Sequence, residues 1–158
     1  QYPAAIQGKQ DIAIFPQVTG TITRLCVNEG QAVKRGQVLF IIDQVPYQAA
    51  LATARANMEA ADATLATAQL TYDSKKELFA QNVISAYELK TAENNLLMAK
   101  YRTRTSQAQE LSAANDLSYT EVKSPSDGVI GTLPYRVGTL VSAGMAQPLT
   151  IGNYLRSF

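Results

Sequence analysis

The sequence predicts an α+β fold in which a long antiparallel helical hairpin is inserted between the two halves of one small β-sandwich. Two observations support this prediction. A set of glycine and apolar residues recurs late in the chain at a constant offset of 108 positions from its first copy. The segment between the copies, residues 47–117, contains neither glycine nor proline and is rich in strong helix formers.

The composition is that of a folded domain with few residues suited to catalysis. Hydrophobic residues make up 46% of the 158 residues and charged residues 17%, which allows a packed core. No histidine is present, so the commonest general base and metal ligand is missing. The single cysteine, Cys26, lies in an apolar segment and is expected to be buried. We therefore expect no cofactor and no enzymatic activity, and the net charge of +1 predicts no nucleic-acid partner.

An internal repeat predicts the sandwich. The matched positions are Gly20, Gly30, Val33 and Gly36 in the first copy and Gly128, Gly138, Val141 and Gly144 in the second. Each copy predicts a strand, a glycine turn, a short strand, a second glycine turn and a final strand. Because four short strands make a marginal sheet, we expect the two copies, residues 1–46 and 118–152, to pack on each other.

Residues 47–117 predict two helices joined near residues 80–85. Alternating steps of three and four residues in the first helix indicate a coiled-coil seam. The seam consists of Leu51, Ala54, Met58, Ala61, Leu65, Ala68, Tyr72 and Phe79, with Lys75 as its polar member. A short connection makes two such helices antiparallel. We expect this hairpin to hold its tip away from the sandwich.

The second helix has a clear predicted start and an ambiguous seam. Ser85 and Glu88 form a capping box, so the helix is predicted to begin at Ser85 or Ala86. Ile84 stands one residue before the cap, where it could take part in a hydrophobic staple. Two seam registers remain open, one of Leu89, Ala92, Leu96 and Ala99, and one of Leu97, Tyr101, Ala108 and Leu111.

Several segments carry a resemblance to a known family. Val18–Ile22 with Glu29–Phe40, and later Ser124–Gly131, look like the two halves of a lipoyl-like domain. Asp43 followed by Pro46–Tyr47 looks like the entry into an inserted hairpin. In this order they resemble the lipoyl-like (barrel-sandwich hybrid) domain and α-hairpin of periplasmic adaptors, the HlyD-like membrane fusion proteins of tripartite efflux pumps.

The resemblance implies a docking motif at the hairpin tip. In adaptors of resistance-nodulation-division (RND) transporters this motif has an arginine, then a leucine, then a serine. Leu78 and Ser85 match the last two, whereas Ser74 stands at the arginine position with Lys75 and Lys76 beside it. The candidate docking residues are Ser74, Lys75, Lys76, Leu78, Gln81, Asn82, Ile84, Ser85 and Tyr87. The alternatives to docking are that Ser85 only caps the second helix and that the other tip residues are only exposed to solvent. Leu78 is expected to face outward because Phe79 fits the seam.

The resemblance also implies a function for the longer protein. It would be the periplasmic adaptor subunit of a multidrug efflux pump, anchored at the inner membrane and in contact with an inner-membrane RND transporter. Its tip would bind an outer-membrane efflux channel, and copies would associate as a hexamer or a trimer of dimers to form a conduit. Residues 153–158 would begin a following β-barrel domain.

The sequence leaves three alternative functions. The chain could be the adaptor of an ABC-type or type I secretion exporter. It could be a lipoyl or biotinyl carrier, although Lys34 lies in the wrong turn for a modified lysine. An enzyme could use Asp43 with Asp127, or Glu29 with Asp11, but turn and capping roles explain these carboxylates.

Overall fold

The computed structural model describes residues 9–144 and 148–154. Its strands are β1 (Lys9–Ile14), β2 (Gly20–Leu25), β3 (Ala32–Val33), β4 (Val38–Ile42), β5 (Glu121–Lys123), β6 (Gly128–Ile130), β7 (Leu140–Val141) and β8 (Leu149–Tyr154). Two helices, α1 (Val45–Ala80) and α2 (Ala86–Tyr119), follow each other between β4 and β5. The chain divides into one unit that contains the strands and a second unit, Tyr47–Asn115. Of residues 153–158, predicted to begin a following domain, Asn153 and Tyr154 belong to β8 and pair with β1, and residues 155–158 lie outside the described residues.

The strands form two antiparallel sheets of four strands that are related by the repeat. Their orders are β1-β8-β6-β3 and β5-β4-β2-β7. Exchanging each strand for its counterpart in the other copy converts the first order into the second. Each sheet therefore takes two strands from each copy, and the repeat is a pseudo-twofold symmetry of the strand unit.

The core of the strand unit draws on both copies. Leu39, Phe40 and Ile42 of β4 are fully buried, and so are Leu149 and Ile151 of β8. The ring of Phe40 meets that of Tyr135 edge-on, with centroids 5.3 Å apart. Since the buried partners come from opposite copies, neither half can complete a core alone.

Two equivalent glycine turns join the copies by matching hydrogen bonds. Gly30 (φ 81°) and Gly138 (φ 93°) adopt the left-handed backbone that a side chain disfavours. The Gly30 N–H donates to the Ile130 carbonyl, and the Gly138 N–H donates to the Ile22 carbonyl, both at 2.8 Å. The predicted glycine turns are confirmed at these positions.

Cys26 is exposed, so its predicted burial is wrong. The pairing of β2 with β4 shifts register between Ile22 and Arg24. This irregularity breaks the alternation of buried and exposed residues, and Val27, at 2% exposure, fills the core next to the cysteine. A one-residue shift of this kind reverses the face of each residue that follows.

The helices α1 and α2, here called the helix pair, contact each other along their length in opposite directions. Arg55 Nε lies 3.4 Å from Glu110 Oε2, and the Thr103 hydroxyl donates to the Ala61 carbonyl at 3.4 Å. Nearer the connection, Lys75 Nζ lies 3.3 Å from Glu88 Oε2. On α1 the predicted seam is buried at Leu51 and Ala54 and half-buried at Met58, Ala61, Leu65, Ala68, Tyr72 and Lys75.

The structure selects the first of the two α2 registers. Ala92, Leu96 and Ala99 are 4–6% exposed, and Thr103 continues the seam at 7%. By contrast, Leu97 is 45% exposed and Tyr101 53%. Among the described residues neither helix has a stretch long and apolar enough to cross a membrane.

Candidate functional site

The connection between the helices, with the residues that flank it (residues 74–88), forms the tip of the helix pair. α1 ends at Ala80, and Asn82 follows with φ of 61°, a conformation that asparagine tolerates better than most residues. The Val83 N–H donates to the Leu78 carbonyl at 2.9 Å, and the Asn82 N–H donates to the Phe79 carbonyl at 3.0 Å. This is a Schellman motif, which satisfies carbonyls left free at a helix end.

Ser85 caps the start of α2, as predicted. The Glu88 N–H donates to Ser85 Oγ at 3.2 Å, and α2 begins at Ala86. Ile84 and Leu89 are both half-buried, which suits a hydrophobic staple. The two helix ends and the turn between them are therefore held by local hydrogen bonds with defined partners.

The Glu88 carboxylate crosses to the other helix. It pairs with Lys75, whose side chain is 35% exposed, whereas the capping-box prediction directed it back to its own helix. The sequence does not predict this ion pair, because the pair depends on which residues of the two helices lie side by side. The length of the turn sets that alignment. Lys76 remains exposed, with Nζ 5.8 Å from the centroid of the Tyr72 ring one turn earlier.

All nine predicted docking residues lie at the tip, but they differ in exposure. Those exposed are Ser74, Lys76, Gln81, Asn82, Ser85 and Tyr87, and those half-buried are Lys75, Leu78 and Ile84. The expectation that Leu78 faces outward while Phe79 packs in the seam is wrong, since Phe79 is 40% exposed. The backbone of the turn approaches Leu78 through the Val83 hydrogen bond, and the Leu78 side chain is half-buried.

The tip exposes three large apolar or aromatic side chains. Besides Phe79, Val83 is 63% exposed and Tyr87 is 79% exposed. Neither Phe79 nor Val83 was among the predicted docking residues. The sequence does contain a signal for Val83 as an exposed tip residue, because it is an apolar residue in the short interruption between two helices.

The carboxylates considered for catalysis have backbone partners. Asp43 Oδ1 accepts from the Val45 N–H at 3.1 Å, and Asp127 Oδ1 accepts from the Arg35 N–H at 2.8 Å. Glu29 Oε2 accepts from the Leu133 N–H at 3.0 Å. The predicted capping role is confirmed for Asp43, which stands just before α1, whereas the carboxylates of Glu29 and Asp127 accept from backbone N–H groups of the other copy of the repeat. In the described part of the chain no three His, Cys, Asp or Glu side chains come together as a metal site would need.

Comparison with known proteins assigns the family. The family model described as "RND MFP, barrel-sandwich hybrid domain" matches residues 10–152, which include every strand and both helices apart from the ends of β1 and β8. The chain belongs to the RND membrane fusion protein family. The predicted resemblance to periplasmic adaptors and the barrel-sandwich class of the strand unit are confirmed by this match.

Two proteins of Escherichia coli (strain K12), the uncharacterized protein YdhJ and the multidrug resistance protein MdtE, are similar to this chain. The chain is 33% identical to YdhJ over 147 residues, which cover 91% of this chain and 51% of YdhJ. It is 34% identical to the multidrug resistance protein MdtE over 136 residues, which cover 86% of this chain and 35% of MdtE. The chain thus spans about half the length of YdhJ and about a third of that of MdtE.

Solved structures share the fold. ZneB from Cupriavidus metallidurans superposes with a TM-score of 0.66 at 22% identity, covering 90% of this chain and 60% of ZneB. A MacA-MexA chimeric protein that contains the Pseudomonas aeruginosa MexA α-hairpin domain gives a TM-score of 0.52 at 30% identity. That alignment covers 90% of this chain and 47% of the chimera.

Proposed function

We propose that this chain is the central part of a periplasmic adaptor that links an inner-membrane RND transporter to an outer-membrane efflux channel. The observation that carries the proposal is the RND membrane fusion protein match over residues 10–152, on a chain whose helix pair stands between the two copies of the strand repeat. The protein would perform no chemistry itself. It would hold its partners in position.

The helix pair is proposed to be a stiff coiled-coil hairpin, with domain limits at residues 47–117. Its helices have 36 and 34 residues, which corresponds to a length of about 50 Å. Small residues such as Ala54, Ala92 and Ala99 in the seam allow the two axes to lie close together. The helix-end hydrogen bonds at Asn82 and Ser85 support a tip of fixed shape.

The tip is proposed to bind the channel. The exposed side chains of Lys76, Ser85 and Tyr87 provide a donor, a small polar group and an aromatic ring within residues 74–88. Such a surface is well below the ~1,600 Å² of a standard protein interface, so one contact would be weak. Several adaptor copies in the periplasm, associated with each other and held at the inner membrane, would supply the affinity through avidity.

Two acidic substitutions at the tip test this proposal. Lys76→Glu combined with Tyr87→Asp, in the full-length protein, changes two exposed side chains that take no part in the Asn82 or Ser85 hydrogen bonds. We expect drug export to fall to the level of cells without the adaptor, at normal protein amount and helicity. The matched control is Lys34→Glu, a charge reversal at an exposed residue of a strand-unit turn, which should leave export unchanged. Normal export by the tip variant would refute tip docking.

A further inference from the structure

The side chains that the resemblance assigns to docking are partly taken up by the fold of the tip itself. Ser85 Oγ accepts from the Glu88 N–H at 3.2 Å, and Lys75 Nζ lies 3.3 Å from Glu88 Oε2. Leu78 is half-buried, and Ser74 stands where the motif has an arginine. A partner that used Ser85 or Lys75 would compete with interactions that hold the tip together. The other exposed side chains of the tip are therefore better placed to bind a partner.

The tip carries no net charge, because Lys75 and Lys76 are balanced by Glu77 and Glu88. Lys75 is paired with Glu88, and Lys76 Nζ lies 5.8 Å from the centroid of the Tyr72 ring. A neutral surface of this kind offers a charged partner little electrostatic attraction. Its affinity for a partner has to come from the burial of apolar surface.

The tip exposes large apolar side chains in a connection that is ordinarily polar. Val83, within the turn, is 63% exposed, and Phe79, in the last turn of α1, is 40% exposed. Each Å² of apolar surface that a partner covers contributes roughly 25 cal/mol. Val83, Phe79 and the ring of Tyr87 are therefore the tip groups whose burial would contribute most to binding.

The backbone that carries these apolar side chains is fixed before any partner binds. The Val83 N–H donates to the Leu78 carbonyl and the Asn82 N–H donates to the Phe79 carbonyl, so Phe79 and Val83 belong to one Schellman motif. The β-branched side chain of Val83 is itself stiff. A partner would meet both side chains already in place, which lowers the entropic cost of the contact.

We propose that Phe79 and Val83 are the principal contacts of the tip with the outer-membrane channel, and that the channel end has an uncharged apolar recess that receives Val83. Docking would be driven by the burial of apolar surface, and ion pairs would contribute little to it. Its affinity would change little with ionic strength, because salt screens charges and leaves apolar contacts in place. This inference rests on the proposed tip docking and goes beyond it by naming the contacts and the chemistry of the partner surface.

Salt dependence tests the chemistry of the contact. The probe is the outer-membrane channel of the host whose removal abolishes drug export, and the channel and the full-length adaptor are each held in lipid nanodiscs. We expect the wild-type dissociation constant to rise less than about threefold between ~50 mM and ~500 mM NaCl. A rise of about tenfold or more would show that charges carry the contact, and would overturn the inference. Equal binding of the adaptor to empty nanodiscs would also overturn it, because lipid would then be the partner.

Substitution of Val83 tests the contact itself. Val83→Thr replaces a methyl group by a hydroxyl at nearly constant volume and retains the backbone N–H of the turn. We expect it to raise the dissociation constant about tenfold, because an apolar recess has no partner for the hydroxyl. Val83→Ile keeps the side chain apolar and should stay within about threefold of wild type. The matched control is Leu111→Thr, at an α2 residue of 64% exposure about 35 Å from the tip, which should bind like wild type.

A second variant separates a failure of this inference from a failure of tip docking. Phe79→Ser should weaken binding by a similar factor, at unchanged helicity by circular dichroism. Normal binding by both Val83→Thr and Phe79→Ser, or an equal loss in Leu111→Thr, would overturn the inference and leave tip docking intact. No binding of the channel by a wild-type adaptor that exports drug in its host would instead contradict tip docking itself.

Discussion

Asn82 adopts the left-handed backbone at the end of α1, a conformation that costs an ordinary L-residue about 1–2 kcal/mol. Asparagine lowers this cost by local hydrogen bonding, and the Schellman hydrogen bonds from Asn82 and Val83 depend on the conformation. Ser85 then caps α2 three residues later. Two single residues thus define the turn on which the proposed docking surface depends.

Substitution of Asn82 tests this role. Asn82→Val should destabilise the protein by about 1–2 kcal/mol, since a β-branched residue is strained at positive φ. Asn82→Gly is the matched control and should be neutral or slightly stabilising. Urea unfolding followed by circular dichroism measures the difference. Equal stability of the two variants would show that the backbone of the turn can rearrange without cost.

Tyr135 makes the stability of the strand unit sensitive to alkaline pH. Burial raises the pKa of this phenol above its ordinary value of 10.0, an effect that a backbone hydrogen bond with Leu149 partly offsets. The folded state therefore holds the phenol proton more tightly than the unfolded state. Stability from this source is fully present below the unfolded pKa and is lost as the pH rises through the folded pKa.

The comparison of wild type with Tyr135→Phe isolates this effect. From about pH 9 to about pH 11 the wild type should lose more stability than the variant, because the variant has no phenol to ionise. The midpoints of urea unfolding, measured across this pH range, give the slope of stability against pH for the wild type and for the variant. Parallel slopes would mean that Tyr135 ionises equally easily in the folded and unfolded states.

At the scale of the elements, α2 shows how neighbouring residues of one type can have different roles. Leu96 is 6% exposed in the seam, whereas its neighbour Leu97 is 45% exposed. Toward its C-terminal half the α2 seam becomes polar at the buried Thr103, whose hydroxyl lies 3.0 Å from the Ala99 carbonyl of its own helix and 3.4 Å from the Ala61 carbonyl of α1. Because apolar residues repeat on two sides of α2, the sequence left both registers open.

Leucine-to-alanine substitution at Leu96 and at Leu97 measures how much each side chain contributes to stability. Leu96→Ala should cost about 2–4 kcal/mol, because it leaves a cavity between the helices. Leu97→Ala should change the stability of a single copy by less than about 0.5 kcal/mol, as at most exposed positions. Chemical denaturation of dilute protein measures both. A reversed order would mean that the Leu97 register is the seam.

At the scale of the whole molecule, two halves that are distant in sequence form one strand unit. β4 and β5 pair with each other although the entire helix pair lies between them in the chain. The Ile42 N–H donates to the Thr120 carbonyl at 2.8 Å, and the Gln44 side chain donates to the Thr120 hydroxyl at 2.9 Å. The residues that precede and follow the helix pair in the chain are therefore neighbours within the strand unit.

Removal of the helix pair tests whether the strand unit folds independently. A chain in which a short glycine-serine linker replaces residues 46–118 should fold cooperatively, because the linker has only a short gap to close. Residues 1–45 alone should stay unfolded, since their buried partners belong to the other copy. Thermal melting of both chains checks this. A linker chain without a cooperative transition would show that the strands need the helix pair.

The sequence by itself determined the repeat, the two helices, the cap at Ser85 and the family resemblance. Each of these depends on local spacing: glycines where turns need positive φ, apolar residues in steps of three and four, and a hydroxyl three residues before a carboxylate. Only the tertiary structure decided the α2 seam, the exposure of Cys26, the places of Leu78 and Phe79, and the Lys75–Glu88 pair. These depend on strand register and on how two helices line up, which contacts between distant segments set and local propensity does not encode.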